Sequence, residues 1–210
     1  MNESVKFFTG TDFLIINALL WGNEMGVERG IEAVYRNNTG VIREAEEMTP
    51  EVRWGVSKEE GQKLFESYKR RTPNEINEAT KLEFIKTAIN DIRNICKAMQ
   101  SATEEMVLYR NVAEEYAIKN LSIGEEIELK GITSTSTTGQ KIDYGKNEFV
   151  ETFQKYEIKI FVGIPILIVE NDYRQENEVI LPPMKYRVSD VQDGLVKLEA
   201  IAPLDIEFFL

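Results

Sequence analysis

Three short stretches of this sequence carry side chains that could do chemistry together, and they follow one another along the second half of the chain. Val107-Leu108-Tyr109-Arg110 ends an apolar run on an arginine. A guanidinium held by a strand can grip a diphosphate through paired, charge-assisted hydrogen bonds. Gly131-Ile132-Thr133-Ser134-Thr135-Ser136-Thr137 is a run of small hydroxyl residues. On a strand, alternation puts Ser134 and Ser136 on one face and Thr135 on the other, and a hydroxyl at a sheet edge can fix the rotamer of a neighbouring carboxylate without adding charge. Tyr173-Arg174-Gln175-Glu176-Asn177-Glu178-Val179-Ile180-Leu181-Pro182 leads two glutamates into an apolar strand. Two like charges at that spacing repel and raise each other's pKa, and two carboxylates with separate duties would explain the placement. Each stretch also has a plain reading: a solvated strand-end arginine, good β-formers on an edge, and an acidic turn in an acidic protein.

What the chain lacks narrows the chemistry further. It has no histidine in 210 residues, so Ser-His-Asp triads, Cys-His dyads and histidine-ligated zinc sites are excluded. Its one cysteine, Cys96, falls on the core face of a predicted helix and reads as a buried thiol; a lone cysteine also forms no internal disulfide. No metal is expected. The formal net charge is −11, the wrong sign for a phosphate-neutralising surface, so no nucleic-acid partner is expected. The apolar run 13–21 is too short to span a bilayer and follows Asp12 instead of a basic segment, so neither a membrane segment nor a signal peptide is read there.

The elements that would position these groups change character midway. Residues 10–35 carry a helical apolar pattern loosened by Gly22, Gly26 and Gly30. Ser57-Lys58-Glu59-Glu60 has the form of a capping box. Thr72-Pro73-Asn74-Glu75 repeats that signal, with proline at the first helical position. The clearest helix is predicted over 79–100, with Leu82, Ile85, Ile89, Ile92, Cys96 and Met99 as one buried stripe. From Met106 onward short β-branched and aromatic runs take over: 106–110, 126–136, 157–162, 166–169, 178–181, 186–191 and 195–202. Helices followed by strands predict an α+β chain, with a mainly helical lobe over about 1–104 and a β-rich catalytic core over about 105–210. There is no G-x-G-x-x-G or G-x-x-x-x-G-K-[ST] loop, so a dinucleotide would bind outside the Rossmann and P-loop modes.

Taken in order, Tyr109-Arg110, Ser134-Thr135-Ser136 and Glu176-Asn177-Glu178 followed by Val179-Ile180-Leu181-Pro182 resemble the R–S–E signature of the NAD-dependent mono-ADP-ribosyltransferases, the family of binary-toxin enzymes and related exoenzymes. Near the start, Phe8-Thr9-Gly10-Thr11-Asp12-Phe13 with Ile16-Asn17 and Leu19-Leu20 is similar to the family's N-terminal helix pattern. Many relatives have glycine after the motif arginine, where this chain has Asn111; the aromatic residue expected after the serine motif is matched equally by Phe149 and Phe153.

The resemblance implies a single α+β domain in which a helical N-terminal part packs on a core of two antiparallel-type sheets around an NAD cleft. It implies transfer of ADP-ribose from NAD+ to an arginine of a target protein, with nicotinamide released. Glu178 would face the ribose and stabilise its developing cation, Ser134 would hold Glu178, and Arg110 would neutralise the diphosphate. Asn111, Thr135 and Ser136 would help line the NAD pocket, Glu176 would accept the incoming guanidinium, and Tyr173 would touch the target protein. Two other readings remain open: an NAD+ glycohydrolase with water as acceptor, and a non-catalytic interaction module on the same fold. A toxin role would call for a separate delivery component, and the chain would act in the cytoplasm or after delivery into a target cell.

Overall fold

The computed structural model describes residues 12–112, 117–138, 154–169 and 177–208. The chain divides into two compact units, Asn2–Arg93 and Asn94–Leu210.

The first unit is helical. Helix α1 (Phe13–Leu20) buries Ile15, Ile16, Ala18 and Leu20, and Gly22, with φ 65°, ends it in a conformation that costs glycine little. The apolar pattern read as continuous over 10–35 is therefore two helices. Asn23 starts α2 (Glu24–Met48), accepting the amide of Gly26 on its side chain. Val27, Ile31, Val34, Asn38, Val41 and Ala45 form the buried stripe of α2. Gly30 lets α1 lie close against it, since a Cβ there would come 3.1 Å from the Ile15 amide nitrogen.

A short helix α3 (Pro50–Trp54) leads into α4 (Lys58–Arg71), whose N-terminus is the expected capping box: Ser57 accepts the Glu60 amide and Glu60 reaches back to the Ser57 amide. The last long helix, α5 (Glu78–Ala98), starts later than the Thr-Pro-Asn-Glu signal predicts. Pro73 instead follows the end of α4, a position where proline stops a helix. The cap of α5 is a reciprocal exchange in which Asn77 accepts the Thr80 amide and Thr80 accepts the Asn77 amide.

The buried stripe of α5 is also turned from the expected one. Phe84, Ala88, Asp91, Ile92 and Ile95 are buried, while Leu82 is 50% exposed and Cys96 only half-buried. A charged residue on the inner face explains the difference. Asp91 and Asp12 both receive the guanidinium of Arg71, Asp12 at 2.6 Å, and a buried charge is tolerated when it is paired in this way.

The second unit carries the strands: β1 (Gln100–Ser101), β2 (Met106–Val112), β3 (Glu126–Leu129), β4 (Thr133–Ser136), β5 (Gln154–Ile160), β6 (Pro165–Ile168), β7 (Glu178–Leu181), β8 (Met184–Gln192) and β9 (Leu195–Pro203). Their order is β1-β6-β7-β4-β2-β5-β9-β8-β3. Every pair is antiparallel except β5 with β9. The run predicted as one strand over 126–136 is two, β3 at one edge of the order and β4 inside it.

The α+β reading holds, and the two-sheet expectation takes a specific form. Strands β4 and β2 meet through a single residue pair, Tyr109 with Ser136, whereas β2 pairs with β5 along its whole length. Within this one nine-stranded order the blocks β1-β6-β7-β4 and β2-β5-β9-β8-β3 are therefore joined by a single residue pair, and β1–β6 and β6–β7 pair over two residues each. Leu108, Tyr156, Ile158, Ile160, Leu181, Met184, Tyr186, Val188, Val196 and Leu198 form the core of this unit.

Candidate active site

The three sequence stretches converge where the two blocks meet. Arg110 lies inside β2, since the strand runs on to Val112, and its neighbours on the same face, Leu108 and Val112, are buried. β2 is itself an interior strand, flanked by β4 and β5. The plain reading of a solvated strand-end arginine therefore does not apply. A half-buried cation facing a core is costly unless its donors find acceptors. One of them does so at the seam: Arg110 Nη1 donates to the Ser134 carbonyl at 3.2 Å, supplying a link that the one-residue ladder between β2 and β4 does not.

Two tyrosines register the guanidinium. Tyr156, opposite Arg110 on β5, has its phenol pushed up chiefly by burial, with the positive charge of Arg110 opposing. The fully buried Tyr186 is pushed up further for the same reason, again with Arg110 opposing. Neither phenol ionises near neutral pH, so neither supplies a counter-charge to Arg110.

The carboxylate arrives from the other block. β4 and β7 pair with Ser136 opposite Glu178 and Ser134 opposite Ile180, which places Ser134, Ser136 and Glu178 on one face. Ser134 Oγ donates to Glu178 Oε1 at 2.5 Å, a diagonal cross-strand contact. The Glu178 backbone is fixed as well, its carbonyl accepting the Val169 amide at 3.0 Å. Just before it, Asn177 sits at φ 46°, in the left-handed region that asparagine tolerates better than most residues, and its carbonyl accepts the Thr137 amide at 3.3 Å. That turn aims β7 so that Glu178 is the strand's first residue.

The remaining predicted site residues are placed as follows. Thr135 is buried on the opposite face from Ser134, and its hydroxyl is spent on the Val179 carbonyl at 2.6 Å. Ser136 is buried, shares its hydroxyl with that of Thr138 at 3.0 Å, and accepts the Thr138 amide. Asn111 is exposed, on the opposite face of β2 from Arg110 and in register with Lys155. Glu176, Tyr173, Phe149, Phe153 and Phe8–Thr11 lie outside the described residues. Lys155 was not singled out in the sequence. It holds its ammonium 4.7 Å from the centre of the Tyr109 ring, a cation–π contact beside the bridge, and only the β2–β5 register reveals it. Cys96 is half-buried with its thiol pushed up to about 11 by burial, which keeps it protonated and unreactive at neutral pH.

The geometry thus links the Arg110 guanidinium to the Ser134 carbonyl across the seam and the Ser134 hydroxyl to the Glu178 carboxylate beside it. Such a group offers a fixed cation for an anionic ligand next to an oriented carboxylate that can stabilise positive charge.

No sequence family matches this chain, and no curated protein does either. Solved structures do match. The catalytic domain of VahC from Aeromonas hydrophila superposes with a TM-score of 0.51 at 12% identity, over 95% of this chain and 96% of that one. BECa, an ADP-ribosylating toxin of a binary enterotoxin of C. perfringens, gives a TM-score of 0.48 at 16% identity, over 81% of this chain and 47% of that one. Plx2a, an ADP-ribosyltransferase toxin from Paenibacillus larvae, gives 0.40 at 17% identity, over 81% and 87%. The chain shares the fold of the VahC catalytic domain.

Proposed function

We propose that this protein is an NAD+-dependent mono-ADP-ribosyltransferase that modifies an arginine of a target protein. The observation that carries the reading is the bond from Ser134 Oγ to Glu178 Oε1 beside the Arg110 guanidinium, on a fold shared with the catalytic domain of VahC.

Cleavage of NAD+ breaks the bond between C1′ of the ribose and the nicotinamide nitrogen; the nicotinamide leaves with the electron pair and loses its positive charge. Positive charge then builds on C1′ and the ring oxygen. A carboxylate already in place stabilises that charge more in the transition state than in the ground state, which is the condition for raising the rate. Glycosidases meet the same demand with carboxylates. Glu178 takes this role, hydrogen-bonded to the ribose 2′-hydroxyl, and Ser134 prevents it from rotating away. Arg110 binds the diphosphate, with Ser136 beside the pocket. The acceptor guanidinium forms the new bond to C1′ through a nitrogen and gives up one proton, which Glu176 receives. Tyr173 contacts the target protein.

The choice of arginine as acceptor rests on glutamate, not glutamine, at position 176. The test is to incubate the protein with labelled NAD+ and agmatine, following nicotinamide release and ADP-ribosyl-agmatine together. Wild type should give both products, and Glu178→Gln should lower both by about a thousandfold or more, the size of a removed transition-state charge contact. Nicotinamide without the agmatine adduct would make water the acceptor. Substantial turnover in Glu178→Gln would remove Glu178 from the centre of the reaction.

A further inference from the structure

A cavity of about 410 Å3 opens on the helical unit, lined by none of the residues assigned to the reaction. It is lined by Glu32, Tyr35, Arg36, Thr39, Gly40 and Arg43 of α2, with Ile76 from the connection between α4 and α5. Three observations make it more than a surface dent.

Its walls are fixed. Tyr35 Oη donates to the Asn74 carbonyl at 3.0 Å, tying the connection to α2. The Asn77–Thr80 exchange and the bond from Asn77 Nδ2 to Glu75 Oε1 hold the other side of Ile76. Its floor is open, because a Cβ added at Gly40 would meet nothing within 4 Å. A glycine in mid-helix costs stability of the order of 1 kcal/mol relative to alanine, and the packing of α2 gives no reason for one here.

Its charge is also against the trend of the chain. Arg36 and Arg43 are exposed and, in a protein of net charge −11, neither makes an ion pair among the described residues. Three nearby carboxylates of α2 are engaged elsewhere, Glu44 with Arg53, Glu46 with Lys69 and Glu28 with Lys81. Seven residues along a helix put the two arginines about 10 Å apart on one face. Arg29 extends the same row by another seven residues. One carboxylate, Glu32, lines the cavity with them.

We propose that this groove docks an acidic segment of a partner protein, seating one or two apolar side chains over Gly40 between carboxylates that pair with Arg36 and Arg43. An acidic peptide fits better than nucleic acid or an anionic membrane, because the overall negative charge repels an extended polyanion while two local arginines suffice for a few carboxylates. The proposal concerns α2 and the α4–α5 connection and stands independently of the reaction proposed above.

The test uses the full chain and a fluorescein-labelled 14-residue peptide with a central Leu-Phe pair flanked by glutamate pairs, read by fluorescence polarisation. A matched peptide carries glutamine for every glutamate. Binding should saturate, weaken by about tenfold or more with the glutamine peptide, and weaken similarly in Arg36→Glu/Arg43→Glu and in Gly40→Leu, while Gly40→Ala binds as wild type. Circular dichroism should show each variant folded; if Gly40→Leu does not fold, Arg36→Gln/Arg43→Gln takes its place. Absence of saturation, equal binding of the glutamine peptide, or full binding by the double-arginine variants would overturn the proposal. So would displacement of the peptide by tripolyphosphate or an oligonucleotide at equal concentration, which would mark a generic anion site.

Discussion

Removing the Ser134 hydroxyl isolates one contact of the site, because the Ser134 carbonyl that holds Arg110 belongs to the backbone and survives a side-chain change. Ser134→Ala deletes the 2.5 Å bond to Glu178 Oε1 and leaves β4 paired with β7. A hydrogen bond to a charged group is worth about 1.5–3 kcal/mol. If that energy serves to hold the carboxylate where charge develops, its loss appears in the transition state, and 1.4 kcal/mol is a factor of ten. The expected outcome is a fall in kcat of roughly ten- to a hundred-and-fifty-fold with little change in the affinity for NAD+. Single-turnover nicotinamide release by chromatography measures the first quantity and calorimetry the second. Ser134→Thr, which restores a hydroxyl, should recover part of the rate. An unchanged kcat in the alanine variant, or a loss confined to NAD+ affinity, would refute a positioning role for Ser134.

Three further outcomes follow from other groups. Arg110→Lys replaces a planar fork by a point charge and gives up the geometry that reaches the Ser134 carbonyl; NAD+ affinity should weaken by about tenfold or more by calorimetry, and an unchanged affinity would argue against a diphosphate contact. Burial holds the Asp12 carboxyl above its ordinary value of 3.8, with Arg71 opposing. The folded state therefore keeps a proton that the unfolded chain releases, so stability falls as pH rises from about that value through the raised one. The urea midpoint of Asp12→Asn minus that of wild type should grow over this window, and a flat difference would contradict the burial argument. Cys96, with its thiol near 11, should be about one part in a thousand thiolate at pH 8 and react with a disulfide reagent far more slowly in the native protein than in urea; equal rates would show an accessible thiol.

The legible parts of the sequence were those set by local chemistry. The capping box at Ser57 and Glu60 and the strand Glu178–Leu181 came out as written, because a hydroxyl three residues before a carboxylate and a β-branched run after a turn need no distant partner. The R–S–E residues were legible as types, yet their plain readings could be discarded only once pairing was known. Arg110 read as a strand end because Asn111 breaks the apolar texture, while β5 continues to pair through Val112. The stripe of α5 was misaligned because Asp91 occupies an inner position, and only its pairing with Arg71, twenty residues earlier in the chain, makes that position tolerable. Pro73 fits both the start of a helix and the end of one, and the Asn77–Thr80 exchange decides between them. Lys155 over Tyr109 depends wholly on strand register, which composition does not encode.

Joining the blocks through the Tyr109–Ser136 pair and the Arg110–Ser134 bond gives the molecule a fulcrum. The acid rides on one slab and the cation on the other, so a pivot about that point would change the span between them. A ligand bridging the two would brace the pivot, and amide exchange at 109 and 136 should then slow more than exchange deep in either slab. Reactivity could equally be tuned from a far strand edge, by any contact that tilts one slab a few degrees, with no reacting group altered.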